Sequence, residues 1–89
     1  MSSANAAFLR VKVRYFQMAQ YVSVSDEYFD LQSPALLRDL LNAVSLRHSS
    51  ISPRMIASMM IFVNGTPAKT NAELNDEDEV DLIPLTAGG

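Results

Sequence analysis

Hydrophobic and polar positions alternate along "FLRVKVRYF": Leu9, Val11, Val13 and Tyr15 fall on one face, and Arg10, Lys12 and Arg14 on the other. A period of two over that length predicts a strand with one buried side. From Gln17 to Ser25 two periods compete, because Met18, Ala19 and Val22 fit one side of a short helix while Val22 and Val24 alternate. One or two helical turns are expected there. "EYFDL" predicts a second strand, with Phe29 and Leu31 sharing a face.

Ser33-Pro34 reads as a helix start, since a serine hydroxyl can cap orphan amides and proline suits the first helical position. Leu37, Leu40, Leu41 and Val44 then recur at helical spacing, Leu36 widens the stripe, and Arg47 and His48 place positive charge in the last turn. Ser49 to Pro53 break this helix, and a short turn over Arg54 to Ala57 precedes the apolar run "MMIFV". Asn64-Gly65 is a hairpin signal, because a type I′ turn needs positive φ at both central residues. Pro67 lacks an amide proton, so the returning strand is short or at an edge. "LNDEDEVDLI" supplies an acidic turn and a last strand with Val80 and Leu82 facing inward. The expected architecture is α+β, with one main helix lying on a mixed sheet of four to five strands.

Composition narrows the function. The chain has 89 residues, 48% hydrophobic and 19% charged, which is the balance of one packed domain and not of a disordered segment. With no cysteine, thiolate nucleophiles, disulfides and thiolate-held metals are excluded. A net charge of −3 leaves no broad basic field for nucleic acid. "MSSANAA" has no basic region followed by an apolar core, and no apolar run reaches spanning length, so a cytoplasmic location with no membrane partner is expected. His48 has no second histidine to join it and reads as a surface residue compensating the helix dipole. The cluster Glu73, Asp76, Glu77, Asp78, Glu79 and Asp81 lacks the glycine-punctuated spacing of a calcium loop and reads as a turn. The methionines read as core filling, the more frequent use of that residue.

The sequence finishes on Gly88 and Gly89. Glycine offers nothing to pack and loses the most freedom on ordering, so a pair of them reads either as a frayed tail or as a narrow thread that presents the carboxylate of Gly89 as a reactive group. The element order and this terminus resemble the β-grasp sulfur carriers, specifically the MoaD family, the small subunit of molybdopterin synthase. "VKVRYF" is similar to the family's opening strand, and "FVNG" to its third strand and turn. "LNDEDEVDLIPLTAGG" is similar to its closing pattern of leucine, acidic turn, Asp-Glu-Val, apolar pair, proline and Gly-Gly. Two departures stand out: Glu77 occupies a position where the family usually has glycine, and the segment before the second strand lacks a glycine often found there.

The resemblance implies a chemistry. A ubiquitin-activating-type enzyme spends ATP to adenylate the carboxylate of Gly89, and sulfur then replaces AMP to give a thiocarboxylate. Gly88 keeps the thread narrow, and no cysteine is needed. This chain then binds no cofactor itself and is not a catalyst alone. Its expected partners are the adenylating enzyme and the large subunit of a molybdopterin synthase. Strand parity turns Phe16, Phe62 and Ile83 onto the sheet face that nothing in the chain covers, which marks a partner surface. Pro67, Pro84, Leu85, Thr86 and Ala87 complete the expected contact set. Arg10, Lys12 and Arg14 read as a solvated stripe neutralised by Glu79 and Asp81 if the first and last strands are neighbours. The expected organisation is a disordered extension over 1–8, a β-grasp domain over 9–84 and a flexible tail over 85–89. Two other roles fit the same residues: a ubiquitin-like modifier joined to target lysines through Gly89, and a plain β-grasp interaction domain.

Overall fold

The computed structural model describes residues 7–85. Strand β1 (Phe8–Tyr15) begins one residue ahead of the expected domain boundary and buries Leu9, Val11, Val13 and Tyr15, as its alternation requires. It pairs antiparallel with β2 (Asp26–Gln32), where Phe29 is buried and Leu31 half-buried. The chain then runs through β3 (Ala35–Leu36), α1 (Leu37–Arg47), α2 (Pro53–Ala57), β4 (Met59–Val63), β5 (Thr66–Pro67), β6 (Glu73–Leu74) and β7 (Glu79–Pro84).

The main sheet is mixed and five-stranded, in the order β2-β1-β7-β4-β5. Its central pair, β1 and β7, is parallel, while the other contacts are antiparallel. A parallel pair needs a crossover, which the intervening chain supplies with α1. Leu37, Leu40 and Val44 of α1, with Val11, Val13, Val80 and Leu82 of the central strands, have no exposed surface. The helix stripe and the inward strand faces thus form one core.

Tertiary hydrogen bonds correct two local expectations, both at the start of α1, and a third segment keeps its local form. The Gln17–Ser25 segment makes a single turn, the shorter of the one or two expected, in which the amides of Tyr21 and Val22 both donate to Met18 O. That turn buries Met18 and Val22 and leaves Val24 exposed. Ser33-Pro34 does not start α1. Ala35 and Leu36 instead pair with Leu74 and Glu73 in a separate two-stranded ladder, so Leu36 belongs to β3 and not to the helix. The first amides of α1 find other partners: Leu37 N donates to Ala72 O, Arg38 N to Thr70 O, and Leu36 N to Asp39 Oδ2 at 2.8 Å. A serine cap is redundant there. Short helix α2 is capped as serines cap, with Ser52 Oγ accepting from Met55 N at 3.1 Å.

Both turns at the far end of the sheet interlock. Asn64 (φ 52°) and Gly65 (φ 84°) carry the two positive φ values of the hairpin turn, and β5 with Pro67 lies at the sheet edge. Asn64 Nδ2 donates to Asp78 Oδ1 at 2.8 Å, and Asn64 Oδ1 accepts from Glu79 N at 2.9 Å. Asp78, buried and charged, takes Asn75 N on its other oxygen at 2.7 Å. Asp76 Oδ1 accepts from Arg10 N, and Glu77 N donates to Arg10 O, so the acidic turn is stitched to β1 as well. These carboxylates are occupied by amides, and among the described residues no group of histidine, aspartate and glutamate is arranged to hold a metal.

Candidate functional site

The open face of the sheet is divided into a charged half and an apolar half, and strand register shows how. Lys12 lies opposite Glu79 and Arg14 opposite Asp81 across the parallel pair. Arg14 forks onto Asp81 with Nε to Oδ1 at 2.7 Å and Nη2 to Oδ2 at 3.0 Å, and reaches Glu79 at 3.7 Å. The hydrogen bond to Asp81 raises the pKa of the guanidinium further. Arg10 turns the other way, to Asp30 of β2 at 3.6 Å. Arg10 and Arg14 are thus neutralised from the two neighbouring strands, whereas Lys12 makes no ion pair among the described residues.

One row further along, charge gives way to apolar side chains. Tyr15 is opposite Leu82, and Phe16 N donates to Leu82 O, which sets Phe16 beside Ile83. Ile83 is in turn opposite Met60 on β4, and Phe62 is opposite both Asp81 and Pro67. Phe16 is 37% exposed and Met60 42%, with Phe62 and Ile83 half-buried. Register thus runs Phe16, Ile83, Met60 and Phe62 across the open face, with Pro67 on the edge strand beyond Phe62. Met60 was missed, although its parity with Phe62 in "MMIFV" carries the same signal. Pro84 ends β7 opposite Met59, and Leu85 follows it, 58% exposed. Thr86, Ala87, Gly88 and Gly89, which carry the expected chemistry, lie outside the described residues. The patch thus sits at the root of the segment that leads to them.

His48 departs from its expected role as a surface residue at the helix end. It is not a free surface cation: its Nε2 meets Glu27 Oε2, its ring stands edge-on to Tyr15 at 5.9 Å, and its side chain is only 21% exposed. Tyr15 OH donates to the same Glu27 oxygen, and Arg47 Nη1 donates to the other at 3.2 Å. Burial opposes the Glu27 charge, but the hydrogen bonds from Tyr15, His48 and Arg47 outweigh it and hold the carboxyl below its ordinary range. Burial first, and then the bond to Glu27, push the Tyr15 hydroxyl up. This cluster fastens the end of α1 to β1 and β2 on the core side, away from the patch.

One main helix held against a mixed sheet whose central strands are parallel, with the last strand running out toward Gly-Gly, is the ubiquitin-like β-grasp. The chain belongs to the ThiS family, whose model matches residues 13–89. Among solved structures it is similar to a putative molybdopterin converting factor subunit 1 from Pyrococcus furiosus, at 31% identity and a TM-score of 0.77, over 85% of this chain and 97% of that one. It is also similar in fold to SAMP1, the small archaeal modifier protein 1 of Haloferax volcanii, at 20% identity and a TM-score of 0.80, over 90% and 99% of the two chains. A complex of subunits 1 and 2 of the molybdopterin-converting factor from Helicobacter pylori matches at 23% identity and a TM-score of 0.55, over 91% and 100%. No curated protein matches the sequence significantly. In the described residues no helix is long and apolar enough to cross a membrane.

Proposed function

We propose that this chain is a sulfur carrier: the carboxylate of Gly89 is adenylated at the expense of ATP by a ubiquitin-activating-type enzyme and converted to a thiocarboxylate. That thiocarboxylate then donates sulfur in molybdopterin synthesis, with this chain as the small subunit of a cytoplasmic synthase. The observation that carries the reading is the apolar row Phe16, Ile83 and Met60 at the root of the Gly-Gly segment. A carrier must hand its chain end into the active site of a larger subunit, and an apolar surface beside the exit of β7 is where such a subunit would grip. Membership of the ThiS family and the likeness to the Pyrococcus subunit support the same role. So does the absence of cysteine, since a thiocarboxylate stores sulfur without one. A carboxylate is a poor electrophile, and adenylation supplies the leaving group that sulfur displaces.

A second reading, a protein modifier conjugated to lysines through Gly89, is favoured by the fold-level likeness to SAMP1. Both roles share the activation step and differ in the acceptor. Incubation of the full chain with the cognate activating enzyme, ATP and a sulfur source, followed by intact-mass measurement, tests the carrier role. Thiocarboxylate formation adds about 16 Da, the difference between sulfur and oxygen at the activated acyl group. An unchanged mass, with isopeptide adducts on added protein lysines, overturns the carrier reading in favour of the modifier.

A further inference from the structure

The two edges of the main sheet differ. At one, β5 has two residues and the second is Pro67, which cannot donate to a further strand. At the other, β2 has seven residues, and an edge of that length invites pairing with another chain. Ser33 N donates to Ala7 O and Tyr15 N to Ser25 O, at the two ends of the β1–β2 ladder. In an antiparallel ladder, residues whose backbone bonds the neighbour alternate with residues whose backbone points away. Glu27, Phe29 and Leu31 therefore bond β1, whereas the amides and carbonyls of Asp26, Tyr28, Asp30 and Gln32 face the open edge.

One of those outward groups is taken. Arg47, at the end of α1, reaches round the edge and donates from Nη1 to Tyr28 O at 3.0 Å. Two other contacts hold it there: an ion pair with Glu27 Oε1 at 3.2 Å, and a stack that sets its guanidinium carbon 3.7 Å from the centre of the Phe29 ring. A cation so held on a backbone carbonyl stands in the way of an incoming amide.

The charges of β2 show why this carbonyl matters. Two copies can pair edge to edge only with outward residues opposite outward residues, and three two-fold antiparallel registers overlap most of the strand. Centred on Tyr28, the pairing sets Asp26 against Asp30; centred on Asp30, it sets that acid against its own copy. Like charges directly opposite are destabilising. Centred on Phe29, the pairing aligns the whole strand, with Tyr28 opposite Asp30 and Asp26 opposite Gln32, and no acid faces another. That register needs Tyr28 O to accept the Asp30 amide of the second copy, and Arg47 occupies it.

We propose that Arg47 is a guard on the β2 edge: it withholds Tyr28 O from a second copy of this chain, and its removal opens the Phe29-centred register to a two-fold dimer with one continuous sheet. Acidic side chains close two registers, and Arg47 closes the one they leave open. The inference does not depend on which chemistry Gly89 performs.

The test measures the solution mass of the full chain and its variants over a concentration series, together with amide hydrogen exchange. Arg47→Met keeps an apolar stem against Phe29 and removes the donor. The parent is expected to stay a monomer, and Arg47→Met to double in mass as concentration rises, with the Asp30 amide newly protected. Arg47→Leu carries the same test should Arg47→Met fold poorly. Adding Asp30→Pro, which removes an outward amide and no bond to β1, is expected to restore the monomer. Glu27→Gln weakens the ion pair but leaves the bond to Tyr28 O, and its expected monomeric state separates release of the edge from a general loss of stability. The proposal is overturned by a folded Arg47 variant that stays monomeric, by a parent or Glu27→Gln protein that already pairs through β2, by a dimer that persists with Asp30→Pro, or by new protection confined to amides outside β2.

Discussion

Arg14 and Asp81 stand opposite each other on the two parallel central strands and join through both guanidinium edges, at 2.7 and 3.0 Å. The carboxylate is 14% exposed and the guanidinium 40%, so the acid is the more committed partner. Arg14 also lies 5.2 Å over the ring of Phe16, which places the ion pair on the border between the charged and apolar halves of the open face. Asp81→Ala leaves the cation without its fork. A hydrogen bond to a charged group stabilises, but solvent access to Arg14 discounts the contribution, so a small loss of stability follows. Urea denaturation is expected to show the loss with an unchanged slope, and a loss under measurement error would mean the pair contributes nothing.

The apolar row predicts a binding defect without a folding defect. Phe16 and Met60 are exposed, so Phe16→Asp and Met60→Asp remove nothing the core needs, yet each places a charge where a large subunit would cover it. Calorimetric titration against such a subunit is expected to show at least tenfold weaker binding, roughly 1.4 kcal/mol or more. Unfolding of either monomer would assign that side chain to the core instead.

Glu77 has φ of 73°, the left-handed conformation that a side chain disfavours, at a position where the resemblance noted a missing glycine. Its amide donates to Arg10 O, so the turn cannot relax without losing a link to β1. Glu77→Gly relieves the strain and adds some freedom to the unfolded chain, with a net stabilisation of about 1 kcal/mol expected in thermal melts. A destabilised variant would show that the Glu77 side chain holds the turn.

Stability is expected to fall at both ends of the pH scale. The Glu27 carboxyl titrates lower in the folded protein than in the unfolded chain, so its contribution is complete above the unfolded value of 4.5 and is lost as pH falls through the folded value. The Tyr15 hydroxyl shifts the opposite way, so its contribution is complete below 10.0, its unfolded value, and is lost as pH rises beyond that. Glu27→Gln, which keeps the shape of the acceptor but not its charge, should flatten the acid limb. An acid limb as steep as the parent's would place the titration elsewhere.

The Gly-Gly terminus predicts a defect in chemistry alone. Removing Gly88 and Gly89, or adding one residue after Gly89, is expected to leave the melting temperature unchanged, since the core ends with Val80 and Leu82. Either change should abolish ATP–pyrophosphate exchange with the activating enzyme, because the reactive carboxylate is missing or displaced. Full exchange by the extended variant would remove Gly89 as the reactive centre.

What the sequence determined by itself is what depends on near neighbours along the chain. The alternation of Leu9, Val11, Val13 and Tyr15, the stripe of Leu37, Leu40, Leu41 and Val44, and the Asn64-Gly65 turn each follow from backbone geometry within about a dozen residues, and all three persist in the folded protein. Phe16, Phe62 and Ile83 were legible for the same reason, once the core-facing parity of each strand was known. The tertiary structure decided what depends on register between distant segments. Helix α1 begins at Leu37 because Thr70 and Ala72 offer carbonyls there, a fact invisible at Ser33. His48 turned inward because β2 sets Glu27 within reach of the helix end, 21 residues away in sequence. Met60 joined the patch through its pairing with Ile83 on β7. Local periodicity fixes which face of an element is apolar, but which faces and charges meet depends on a packing that no single stretch of the chain contains.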